Sequence, residues 1–153
     1  MTPNLLIRPL AADDYAGWKP LWDGYNAFYG RSGATALPDT VVAATWQRLL
    51  DAAEPMQALV AESRGQLLGL AHVVFHRSTI ALGPSCYLQD LFTTEAARGQ
   101  GVGRALIEAV YRLADQAGAA RVYWQTHESN VTARRLYDAV AENSGFVVYR
   151  RAR

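Results

Sequence analysis

The chain has 153 residues, 50% hydrophobic and 19% charged, with a formal net charge of +1. That composition suits one globular domain over residues 1–153 and excludes a disordered chain or a strongly basic binder of nucleic acid or anionic membrane. Its one cysteine, Cys86, excludes an internal disulfide and the paired-cysteine zinc patterns.

The opening Met-Thr-Pro-Asn-Leu-Leu-Ile-Arg-Pro-Leu lacks the charged and long apolar regions of a signal peptide. No apolar run approaches the roughly 18 residues that span a bilayer, so a cytoplasmic protein is expected. Leu5 to Arg8, stopped by Pro9, reads as a first strand. From Asp13 to Tyr29, residues Tyr15, Trp18, Trp22, Tyr25 and Tyr29 recur at steps of three or four, which predicts an amphipathic helix capped by Asp13 or Asp14. Residues 31–40 read as a loop, and a second helix starts at Asp39 or Thr40 behind Pro38, turning Val42, Trp46, Leu49 and Leu50 inward. Gln57–Ser63 and Gln66–His76 flank Arg64-Gly65, a hairpin spacing. Tyr87–Thr93 is a further strand. Val102 to Ala117 carries Val102, Leu106, Ala109, Val110, Leu113 and Ala117 on one stripe, ended by Gly118. Strand Arg121–Gln125, helix Asn130–Ala141 and a last strand Phe146–Arg150 complete the chain. Strand, helix and strand in that order predict a parallel, right-handed β-α-β crossover inside a mostly antiparallel α/β sheet.

The junction Arg98-Gly99-Gln100-Gly101-Val102-Gly103-Arg104-Ala105 sets three glycines at the start of the clearest helix. A helix start presents unpartnered N–H groups and partial positive charge, and glycine lets an anion approach the backbone. Flanking arginines add charge suited to phosphate oxygens. A P-loop would need Lys followed by Ser or Thr, and a dinucleotide fingerprint would need Gly or Ala where Arg104 stands, so neither template fits.

The pattern Arg98-x-x-Gly101-x-Gly103 resembles the acetyl-coenzyme A loop of the GNAT superfamily of N-acetyltransferases. Downstream, Asn130-x-x-Ala133-x-x-Leu136-Tyr137 followed by Gly145-Phe146 resembles a second motif of that superfamily, in the right order and at the separation of one helix plus one strand. Leu88-Gln89-Asp90-Leu91-Phe92, Val122-Tyr123-Trp124 and Val148-Tyr149-Arg150-Arg151 look most like its yeast-type histone and polyamine acetyltransferase branch.

The resemblance implies a single GNAT-type domain that transfers an acetyl group from acetyl-CoA to a primary amine of a polyamine, an amino acid or a protein, without a metal. It implies that the pantetheine arm lies in a gap beside Leu91, Phe92 and Thr93, with the Leu91 N–H as oxyanion donor. The N–H groups of Gln100, Gly101, Val102, Gly103, Arg104 and Ala105 would take the pyrophosphate, with Arg98 and Gly99 in the same loop. Asn130 matches the asparagine that contacts the cofactor arm, and Tyr137 the tyrosine that protonates the leaving thiolate, a step suited to a phenol.

The general base is open. Gln89 stands where spermidine/spermine enzymes carry glutamate, and strand alternation keeps neighbouring Asp90 from simply replacing it. Deprotonation through water to Asp90, Glu128 or His127, or delivery of a neutral amine, all remain compatible. His72 and His76 read as ordinary strand residues. Tyr25, Tyr29, Gln89 and Asp90 are the expected acceptor contacts. A homodimer joined through the last strand is expected from its exposed edge and from the resemblance. Two other readings stay open: a non-catalytic acyl-CoA sensor, and an acyltransferase for larger acyl groups.

Overall fold

Arg64 and Gly65 both adopt positive φ, 52° and 78°, the requirement of a two-residue turn whose twist matches its strands. They fold β2 (Met56–Ser63) back on β3 (Gln66–His76). The computed structural model describes residues 2–153. With β1 (Leu6–Pro9), β4 (Ser85–Thr93) and β5 (Arg121–Tyr123), the hairpin forms one sheet in the order β1-β2-β3-β4-β5. All neighbours are antiparallel except β4 and β5, which are parallel. Helix α3 (Val102–Gln116) crosses between them as expected for a β-α-β unit.

The two faces of the sheet are built from different residues. Against one lies α3, and its core is aliphatic: Leu59, Ala61, Ala71, Val73, Cys86 and Leu88 meet Val102, Leu106, Ile107 and Val110. Against the other lie α1 (Tyr15–Phe28) and α2 (Asp39–Leu50), where Trp18, Leu21 and Trp22 pack with Val42, Leu49, Ala58 and Leu70. Helix α4 (Val131–Val140) buries no residue fully, although Leu136, Tyr137 and Val140 lean on the α3 core.

Several expectations are corrected. The first helix begins only at Tyr15, after a 3-10 turn at Ala12–Asp14. No aspartate caps it, because Arg8 holds the Asp14 carboxylate at 2.7 and 2.9 Å and the Ala11 N–H donates to it at 2.7 Å. The α3 stripe ends on Ala114 rather than Ala117, which is exposed where Gly118 turns the chain at φ 68°. Strand β5 is three residues long rather than five. The expected last strand Phe146–Arg150 is absent: the segment pairs with no strand among the described residues, with Phe146 90% and Tyr149 93% exposed. A strand exists only where a neighbour completes its ladder, and here none does.

Candidate active site

Strands β4 and β5 pair only at Ser85–Arg121, Cys86–Val122 and Tyr87–Tyr123. Beyond Tyr123 they separate, so the β4 edge from Leu88 to Thr93 has no strand beside it on that side. The unpaired length leads into the glycine loop. Gly99 and Gly101 take φ of 75° and 85°, and a side chain at either would enter open space. Their role is therefore conformational: they shape the turn into α3, whose first three N–H groups, those of Val102, Gly103 and Arg104, have no intrahelical partner. Ala105 is not among them, since its N–H donates to the Gly101 carbonyl oxygen at 3.0 Å. Gly103 serves packing instead, because a Cβ there would stand 3.2 Å from Leu136. Its small size lets α4 lie against the start of α3, which carries Tyr137 toward the loop.

Arg98 donates from Nε to the Thr93 carbonyl oxygen at 3.1 Å and rests 5.7 Å from the Phe92 ring centroid. Arg104 stands 4.0 Å from Glu108. Gln100 bonds the Ala96 carbonyl oxygen through Nε2 at 3.2 Å and accepts from Thr2 at 3.2 Å. Asn130 begins α4 without a capping bond from its side chain, which donates only to Thr126 at 3.3 Å. Tyr137 packs edge-on against Trp124 at 5.4 Å, and its hydroxyl has no protein partner among the described residues. Burial, with a smaller contribution from Tyr29, pushes this hydroxyl up to about 12, so it holds its proton at neutral pH.

The register of β3 against β4 slips at one point. His72 pairs with Asp90 and Val73 with Leu88, leaving Gln89 unpaired as a bulge. A bulge resets the alternation of faces. Leu88 and Leu91 therefore both meet the α3 side, while Asp90 turns to the aromatic side, buried beside α1. The alternation expected across positions 89 and 90 does not hold here, and Gln89 is exposed.

Asp90 is held by a buried relay. Trp18 Nε1, which can only donate, lies 3.0 Å from His72 Nε2, and His72 Nδ1 lies 2.9 Å from Asp90 Oδ2. Nε2 must supply a lone pair, so the ring proton sits on Nδ1 and is donated to the carboxylate. His72 is 3% exposed and Asp90 8%. Around them stand tyrosines. The Tyr25 hydroxyl is 3.5 Å from the Gln89 carbonyl oxygen. Burial, then the charge and hydrogen bonding of Asp90, raise it well above an ordinary phenol, while Arg31 opposes the rise. Tyr87 is raised by burial and by neighbouring Tyr123, Asp90 and Tyr29. Tyr29 packs on Tyr25 with ring centroids 5.0 Å apart. On the outer side, Tyr87 stacks on Tyr123 at 4.9 Å, and Tyr123 donates to His76 Nε2 at 2.7 Å.

The structure therefore sets Asp90 and Tyr25, with Tyr29 packed on Tyr25, beside the open length of β4, whereas Tyr137 packs against Trp124 and the α3-side core. Trp18 and His72 also belong to this cluster through the relay to Asp90, which corrects the reading of His72 as an ordinary strand residue, and Tyr87 and Tyr123 stack at its edge. A single unpaired residue at Gln89 decides which face Asp90 takes, and no local pattern announces it. A separate cavity of about 470 Å³ lies between α1 and the hairpin turn, where Arg8 is bridged to both Asp14 and Glu62.

A helix start with free N–H groups beside an unpaired strand edge is the geometry of an acyl-transfer site of the coenzyme A type. Residues 18–141 match the model of the acetyltransferase (GNAT) family. The chain is 34% identical over 150 residues to D-amino-acid N-acetyltransferase HPA3 of Saccharomyces cerevisiae, with 97% of this chain and 91% of that protein covered. It is 30% identical to the uncharacterized N-acetyltransferase YhfO of Bacillus subtilis, with 94% of each covered. Its fold matches that of AAC(6')-Iy, solved with a coenzyme A bisubstrate analog, at a TM-score of 0.82 and 21% identity, covering 98% and 99% of the two chains. The chain belongs to the GNAT acetyltransferase family. It is an N-acetyltransferase with acetyl-CoA as donor.

Proposed function

We propose that the acceptor is the primary amine of a small molecule, an amino acid in first place, held at Asp90 and acetylated in the gap between β4 and β5. The observation that carries this reading is one buried carboxylate, fixed by His72, on the strand whose unpaired edge Tyr25 adjoins, with Tyr29 packed on Tyr25. The similarity to a D-amino-acid N-acetyltransferase over nearly the whole chain supports the substrate class.

In this reading Val102, Gly103 and Arg104 take the pyrophosphate on their N–H groups, and Arg98, Gly99, Gln100 and Gly101 shape that loop. Leu91, Phe92 and Thr93 line the pantetheine arm, with Asn130 across from them and the Leu91 N–H as oxyanion donor. Asp90 attracts the acceptor ammonium and accepts its proton. The freed amine nitrogen attacks the thioester carbon, a C–N bond forms, and the C–S bond breaks. Tyr137 gives its proton to the leaving sulfur and recovers one from the nitrogen of the product. The net proton released passes from Asp90 to solvent.

Thiol release from acetyl-CoA, measured against a panel of amino acids, polyamines and basic peptides, tests this. Acceleration by amino acids above the other classes is expected. Saturable coenzyme A binding with no acceleration by any amine would replace the enzyme reading with a sensor.

The same reading extends to a cytoplasmic homodimer. The apolar tail 146–149 is exposed, and the outer edge of β5 is unpaired. A second copy of the chain would cover both, as exposed strand edges favour. Light scattering of the full chain should give twice the monomer mass, and of a chain ending at Ala141 the monomer mass. A monomeric full chain would refute the pairing.

A further inference from the structure

Arg31 is a cation that the reaction described above leaves unused. It stands three residues past α1, where Gly30 turns the chain at φ 77°. Its backbone N–H donates to the Asn26 carbonyl oxygen at 2.9 Å, and its Nε to Asn26 Oδ1 at 2.7 Å. Asn26 is 4% exposed and is itself anchored by a bond from Nδ2 to the Trp22 carbonyl oxygen at 2.9 Å. The guanidinium lies 5.9 Å from the Tyr25 ring centroid and 5.6 Å from that of Tyr29. It is thus held at one nitrogen and against two rings, while both terminal nitrogens lack an acceptor among the described residues and no carboxylate pairs with it. Arg8 shows the contrast, bonded to both Asp14 and Glu62.

A fixed guanidinium with two idle donors, half-buried in the wall of an acceptor site, is suited to a planar anion that takes both hydrogen bonds at once. Trp22 lies behind Tyr25 in the same wall. Its Nε1 is buried without a partner, and its ring stacks on Tyr25 at 5.3 Å and 6°. Buried donors are rarely left unsatisfied. Arg31 lies against the Tyr25 ring, and the Tyr25 hydroxyl is 3.5 Å from the carbonyl oxygen of Gln89, the residue before Asp90, so Tyr25 stands between the cation and the strand that carries the carboxylate. In an α-amino acid the ammonium nitrogen and the carboxylate carbon are about 2.5 Å apart, and a zwitterion presents both charges in that order.

The geometry points to Arg31 as the group that binds the carboxylate of an α-amino acid whose ammonium sits at Asp90. This rests on the amine-acetyltransferase reading above and adds to it a determinant of specificity. Polyamines, which would set a second cation against Arg31, are rejected by the same residue.

The test compares acceptors that differ only in the anion: phenylalanine, phenylalaninamide and phenethylamine, with both enantiomers of the first two, using the full chain and acetyl-CoA. For the favoured enantiomer, kcat/KM of the acid should exceed that of the amide by roughly 10- to 100-fold, the range of charge-assisted hydrogen bonds. Arg31→Gln should bring that ratio to about 1, chiefly through KM, and Arg31→Lys should restore part of it. A wild-type ratio near 1, or an Arg31→Gln protein in which acid and amide fall together, overturns the inference. Thermal melting in the presence of each compound separates the two proposals. A shift by the acid that Arg31→Gln removes, without thiol release, supports Arg31 and overturns the transfer reading. Acetylation of all three compounds without preference does the reverse.

Discussion

The donor side and the acceptor side of this protein are built by opposite means. The donor side is made of backbone: a glycine turn, the free first turn of α3, and a length of β4 from which β5 has parted. The acceptor side is made of side chains from α1, β3, β4 and the loop after α1, joined through Trp18, His72 and Asp90. Coenzyme A is the same molecule for every member of the family, and a backbone cradle recognises it without depending on many side chains. The acceptor varies, and side chains on separate elements can vary one at a time.

Variants should therefore separate the two sides. Tyr137→Phe removes the proposed proton donor and should lower kcat by about 10³-fold with KM for acetyl-CoA within about twofold, as steady-state thiol release would show. A loss below about threefold would remove Tyr137 from the chemistry. Its raised value has a second consequence. The fold favours the protonated phenol, so this stabilisation is complete below the ordinary value of 10.0 and is lost as pH rises through about 12. Tyrosinate absorbance followed alongside circular dichroism should show Tyr137 ionising only as the fold fails.

On the acceptor side, His72→Ala should cost about 3 kcal/mol in urea denaturation, because it opens a cavity and leaves the Trp18 N–H unpaired at a site with no solvent exposure. Coenzyme A affinity of the folded variant should change little; a large loss would mean that the two sides are not separable. Gly101→Val should do the converse. Its φ of 85° costs a β-branched residue about 1–2 kcal/mol, and the coenzyme A dissociation constant should rise about tenfold in calorimetry while the acid-to-amide ratio stays constant.

The smallest effect belongs to neither side. Arg8, by hydrogen bonding, holds the Asp14 carboxyl below its ordinary value of 3.8. The pair therefore stabilises the fold above that value and ceases to do so as pH falls through the lowered one. With Arg8 about a quarter exposed, screening limits the contribution to about 1 kcal/mol. Asp14→Asn should flatten the acid limb of stability against pH by that amount and leave both substrates' KM unchanged.

Legibility followed the same division. Val102 to Gly118, Arg64-Gly65 and the loop from Arg98 to Arg104 were readable because helix periodicity, a two-residue turn and a helix start are encoded within a few consecutive residues. Tyr137 was readable as a candidate by motif, and Tyr25 and Tyr29 by helical spacing. Their meeting with Asp90 was not, since it depends on the unpaired Gln89, a register property of two strands 18 residues apart at His72 and Asp90. Arg31 looked like one end of a polar loop, and only the contact with buried Asn26 marks it out. The tail Phe146–Arg150 is rich in aromatic and β-branched residues as a strand would be, yet forms none, because a strand needs a neighbour and its own sequence cannot supply one.

By itself the sequence determined the class of this protein and its donor, because an anion cradle of glycines and free N–H groups is a local conformation and local conformations are encoded locally. Only the tertiary structure decided the acceptor side. The face that Asp90 occupies, the tautomer of His72 and the idle donors of Arg31 follow from which elements touch, and that is settled by packing across the whole sheet.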